Sequence, residues 1–119
     1  MAMVTGAAIA RGYPYRLRVS LAGAGGAAAP GLFPAGAALK AHVRVSRAAP
    51  ASLGDLTTGN GRLVRVSDSV IDITIPPDIT GQLPAGGFAH IDLARTDLDP
   101  DEYLGLYLRI PVLQPVTTP

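Results

Sequence analysis

His42, His90 and Asp92 are the residue types that could ligate a transition metal, and their placement decides whether they can meet. The two histidines are the chain's whole supply, and both fall on outward positions of alternating runs. A shared site therefore requires their two strands to lie side by side, and a surface histidine is the plainer reading of each. Asp97, Asp99, Asp101 and Glu102 offer oxygens at alternating spacing, as a calcium loop does. They lack the sharp-turn glycine and the distal bidentate glutamate of the EF-hand pattern, and an acidic solvated turn is the simpler reading. Ser20, Ser46, Ser52, Ser67 and Ser69 sit in no G-x-S-x-G elbow and have no histidine near them in sequence. Gly23-Ala24-Gly25-Gly26 lacks the lysine and the following helix of a phosphate loop. No catalytic constellation emerges, so the chain is expected to be non-enzymatic and to need no cofactor or metal.

The elements that position these residues are short alternating runs. Tyr15, Leu17, Val19 and Leu21 alternate with Arg16, Arg18 and Ser20, and Leu39, Ala41, Val43 and Val45 alternate with Lys40, His42, Arg44 and Ser46. Such period-2 patterns put the aliphatic set inward and the basic set outward. Between them, residues 22–39 carry no charge, and their glycines and prolines break any helix, which gives a long glycine- and alanine-rich loop. Gly59-Asn60-Gly61 supplies the positive-φ tolerance of a tight hairpin turn. Residues 62–66 read as a strand in which Val64 and Val66 share a face, and Ile71, Ile73 and Ile75 alternate with Asp72 and Thr74 until Pro76-Pro77 stops the run. Asp78 is placed to cap one helical turn. Pro84-Ala85-Gly86-Gly87 then turns the chain into Ala89, Ile91 and Leu93, which alternate with His90 and Asp92. Residues 96–102 form an acidic turn. Leu104, Leu106, Leu108, Ile110 and Val112 make the last apolar face, opposite Tyr103, Tyr107 and Arg109. Six or seven strands with no helical periodicity predict an all-β fold, an antiparallel β-sandwich, with a small closed barrel as the alternative.

At 119 residues the chain suits one β-sandwich domain spanning residues 1–119. With no cysteine, disulfides, thiolate metal sites and cysteine nucleophiles are excluded, and apolar burial with backbone pairing must hold the fold. A net charge of +1, with arginines dispersed along strands, leaves no electrostatic footprint for nucleic acid. The N-terminal residues are not built like a secretory signal, and no segment is suited to cross a membrane as a helix.

Two features favour a partner surface. Phe88, Tyr103 and Tyr107 are expected on the face opposite the core residues, and with Arg109 beside them they match the composition of interface hot spots. The competing reading is that the face is misassigned and these rings are buried. Residues 1–12 and 113–119 hold few core-type side chains and are expected to be extended arms, free in isolation and able to cross to a neighbour in an assembly.

The succession ARGYPYRLRVSL, ALKAHVRV, LTTGNGRLVRVSDSVIDITIPPDITGQLPAGGFAHIDLAR and YLRIPVLQPVT is similar to that of small β-sandwich proteins of tailed bacteriophages and phage-like elements. It resembles the immunoglobulin-like domain at the N-terminus of phage baseplate upper proteins. The matching parts are the turn at residues 56–61, the isoleucine-rich strand at 70–75, the corner at 78–86, and Val116-Thr117 near the end. The resemblance implies a virion structural protein, made in the host bacterial cytoplasm, that works by contact with copies of itself and with other virion proteins. A tail, baseplate or fibre-connecting component, assembled as a trimer or ring, is the leading expectation. A capsid cement or decoration protein on the head lattice is the alternative, and a small carbohydrate- or calcium-binding β-sandwich is the second alternative.

Overall fold

Alternation dominates the local structure because each strand must present one apolar face to a shared interior. A computed structural model describes residues 2–4, 7–20, 33–46, 48–49 and 51–117, without the side chains of residues 2–4 and 105. Among the described residues nine strands and one helical turn follow in order: β1 (Ala2–Val4), β2 (Ile9–Ala10), β3 (Tyr15–Ser20), β4 (Leu39–Arg44), β5 (Gly54–Thr57), β6 (Leu63–Ser67), β7 (Val70–Ile75), α1 (Pro77–Thr80), β8 (Phe88–Arg95) and β9 (Glu102–Leu113). They build two sheets. The larger runs β1-β9-β8-β4-β5, with β2 also on β9, and the smaller runs β3-β7-β6.

The inward faces of both sheets meet in one core. Val19, Leu63, Ile71, Ile73 and Ile75 come from the smaller sheet, and Leu39, Val43, Leu56, Ile91, Leu93, Leu106, Leu108 and Ile110 from the larger. The chain is thus all-β, with two sheets packed as in a β-sandwich. Outward residues of the smaller sheet neutralise one another: Arg18 lies opposite Asp72 and donates to it through Nε at 2.7 Å and Nη2 at 2.9 Å. That hydrogen bond, with the guanidinium's charge, holds the Asp72 carboxyl below its ordinary value.

Several expectations need correction. The sheets are not purely antiparallel, because β1 and β2 run parallel to β9. The segment at residues 7–12, expected as a free arm, is tied down. Ile9 is fully buried in the core, Arg11 donates its backbone N–H to Leu113 and its guanidinium to Gln114 Oε1 and Gly81 O. The Thr80 hydroxyl, buried in α1, donates to Tyr13 O at 2.8 Å and accepts the Gly12 N–H at 3.2 Å. At the other end Leu113 pairs with Ala10, and Thr117 O accepts the Tyr13 hydroxyl. One apolar side chain and a few backbone partners suffice to dock a short terminal strand on a sheet edge.

Gly59-Asn60-Gly61 is a turn, with Gly61 at φ +78°, but not a hairpin. It carries the chain from β5 in one sheet to β6 in the other. Asn60 fixes this corner: its Oδ1 accepts the N–H groups of Thr57 and Arg62, and its Nδ2 donates to Asp55 O. Asn60→Ala is expected to cost about 1–2 kcal/mol, measured as a lower urea midpoint with an unchanged slope.

The face shared by Val64 and Val66 is the outer one, at 49% and 44% exposure, while Leu63 points inward at 1%. A register shift between Arg65 and Ser67 follows it in the pairing with β7. Asp78 lies inside the first turn of α1; Pro76 is the N-cap and no side chain caps it. Most of the glycine- and alanine-rich loop, residues 21–32, lies outside the described residues, as does Leu21. Phe33 at its end is fully buried, its N–H donated to Asp68 O and its carbonyl accepting Arg65 Nε.

Candidate functional site

The larger sheet turns a polar and aromatic face outward. Its register sets the side chains in rows across β5, β4, β8 and β9. Asp55, His42, Asp92 and Tyr107 form one row, Arg44, His90 and Arg109 the next, and Lys40, Ala94 and Tyr103 a third on the other side. Alternation in each strand makes these outward positions, because Ala41, Val43, Ala89, Ile91, Leu93, Leu106 and Leu108 occupy the core.

His42 and His90 therefore do lie on adjacent strands, and with Arg44, Ile91, Asp92 and Tyr107 they line one pocket. The pocket is not arranged for a metal. Arg44 Nη2 lies 3.3 Å from His42 Nδ1, and His42 Nε2 lies 3.3 Å from Asp55 Oδ1. Arginine can only donate, so Nδ1 is the acceptor and the imidazole proton sits on Nε2, directed at Asp55. Both His42 nitrogens are engaged, and a guanidinium beside one of them opposes a cation. Among the described residues no three His, Asp or Glu side chains converge for metal binding.

The acidic residues at 97–102 do not gather around a point either. Asp97 accepts Arg95 Nε and Nη2 at 3.1 and 2.7 Å, which holds its carboxyl below the ordinary value. Asp101 faces Lys40 Nζ at 3.8 Å, and Asp99 is exposed. The cations on the neighbouring strands make this an ion-paired turn.

The four expected contact residues share the outer face and differ in exposure. Tyr103 is 50% exposed, and Arg109 is exposed with its guanidinium carbon 3.9 Å from the centre of the half-buried Phe88 ring. Phe88 meets the His90 ring edge-on at 6.4 Å, and His90 stacks on Tyr107 at 5.8 Å and 19°. Arg109, Phe88, His90 and Tyr107 so form a continuous ladder. Tyr107 points outward as expected but is only 7% exposed, since β1 flanks it on one side and His90 lies on the other. Its hydroxyl is hydrogen-bonded to His90 Nδ1. Tyr107→Phe is expected to cost about 1 kcal/mol, read from denaturant midpoints, with the His90 ring resonances displaced.

Sequence reasoning placed His42, His90 and Asp92 on outward faces but did not assemble them, and it did not single out Arg44. The missing information was strand order, since β4 and β8 are separated in sequence by three strands of which one is beside β4 and two are in the other sheet. Comparison with family models, curated proteins and solved structures finds no match to this chain.

Proposed function

We propose that this protein is a non-enzymatic immunoglobulin-like module that acts by contact, as a structural component of a tailed-phage or phage-like particle. The observation that carries the contact reading is the outer face of the larger sheet, where Phe88, His90, Tyr107 and Arg109 form one ladder and Tyr103 stands half exposed. Aromatic residues and arginine on one face are the residue types that dominate protein interfaces.

The strand order supports the immunoglobulin-like reading. In that reading β3-β7-β6 correspond to strands B, E and D, and β9-β8-β4-β5 to G, F, C and C′. The phage assignment rests on the resemblance of the turn at 56–61, the strand at 70–75 and the corner at 78–86. The tail or baseplate is the favoured place, with copies of this chain and other virion proteins as partners.

Imaging of particles decorated with gold-labelled antibody against this chain tests the assignment. Label at the tail or its tip is expected. Label over the head lattice would move the protein to the capsid, and particles without label would contradict the virion reading.

A further inference from the structure

The outer-face pocket has a volume of about 150 Å³ and a lining whose chemistry is mixed: His42, Arg44, His90, Ile91, Asp92 and Tyr107 surround it. Arg44 can only donate. Among the described residues it makes bonds to Ala49 O and His42 Nδ1, two contacts from a guanidinium with five N–H groups. Asp92 can only accept when ionised, it is exposed, and it takes part in none of the ion pairs among the described residues.

These two charges select against simple ions. An anion drawn to Arg44 meets the Asp92 carboxylate in the same lining, and a cation drawn to Asp92 meets the guanidinium. His42 does not tip the balance, because its Nδ1 accepts from Arg44 and its Nε2–H is directed at Asp55. A ligand that satisfies both sides carries no net charge and offers donors and acceptors close together. Vicinal hydroxyls do this, each oxygen accepting from the guanidinium while its hydrogen is given to the carboxylate. The His90 and Tyr107 rings stack on each other and Tyr107 is only 7% exposed, so they wall the pocket without offering an open face, and a saturated ring carrying the hydroxyls is held by its polar groups. The volume lies below the roughly 300 Å³ at which drug-sized sites begin, so only one such ring is held and the remainder stays in solvent.

We infer that this pocket binds a single neutral sugar ring of a glycan, with two adjacent hydroxyls bridging Arg44 and Asp92. The pocket shares His90 and Tyr107 with the contact ladder, so a glycan held here and a protein partner compete for the same outer face, with Tyr103 outside the pocket.

Amide-resolved NMR titration tests this with a panel of methyl glycosides of glucose, galactose, mannose and rhamnose, and with sodium acetate and glycine as an anion and a zwitterion. At least one glycoside is expected to give saturable shifts centred on residues 42–44, 90–92 and 107, with a dissociation constant on the order of millimolar. Asp92→Ala, an exposed change that leaves the core intact, is expected to weaken that binding about tenfold or more while the melting temperature holds. Three results would each overturn the inference: no saturable shift with any glycoside, acetate or glycine titrating these residues where the glycosides do not, or unaltered glycoside binding in Asp92→Ala.

Discussion

Alanine at Ile73, Ile91 or Leu106 is expected to lower the unfolding free energy by about 2–5 kcal/mol each, through lost transfer energy and the cavity left behind. All three are 1% exposed. Ile73 sits between Leu17 and Leu63 in the smaller sheet, and Ile91 between Val43 and Leu108 at the middle of the larger. Each of the three sits on a strand paired on both sides, β7, β8 and β9, so the core has little freedom to close over a missing side chain. A domain of this size has a total stability of about 5–15 kcal/mol, and a single such change removes a large share of it. Val64→Ala is the control: on the outer face of β6 it is expected to stay within about 0.5 kcal/mol of the parent. Urea denaturation of the four variants reads both effects, and core variants as stable as the parent would show that the assigned facing is wrong.

The second large effect concerns assembly. Replacing Tyr103 with serine together with Arg109 with alanine is expected to weaken self-association by about 2 kcal/mol or more, some 30-fold in the dissociation constant. The residues are six positions apart on β9, roughly 20 Å along the strand, a span that a standard interface of about 800 Å² per partner covers. The edges of this sheet are poor alternatives, since β1 and β5 are three and four residues long. Tyr107 is left out of this variant because it is buried and bonded to His90, and its removal would confound assembly with stability. Circular dichroism should show both single-site changes folded, because neither side chain reaches the core.

How much of this was legible in the sequence follows from the range of the signals. Period-2 patterns are local, and they correctly placed Ile71, Ile73 and Ile75, then Ala89, Ile91 and Leu93, then Leu106, Leu108 and Ile110 toward the interior. They also placed Tyr103, Tyr107 and Arg109 on the opposite face. Pairing is not local. Nothing in Gly59-Asn60-Gly61 distinguishes a hairpin from a corner between sheets, because both need the same backbone at Gly61; the partners of β5 and β6 decide it. In β6 the two valines share a face as read, but the pattern did not say which; Leu63 is the larger apolar residue and takes the inward side, leaving Val64 and Val66 to solvent. The N-terminal segment looked too poor to fold back because its value depends on a single residue, Ile9, meeting a sheet edge about a hundred residues away. The pocket needed β4 beside β8, which the runs alone do not specify.

Static light scattering of the parent protein across a concentration series, from low to high micromolar, tests most directly whether this chain works by contact through the outer face of its larger sheet. A mass that climbs to a small closed multiple such as a trimer or ring, and falls back toward the monomer when Tyr103 and Arg109 are replaced, is the expected result. A parent that stays monomeric throughout and captures no other protein from disrupted particles would contradict it.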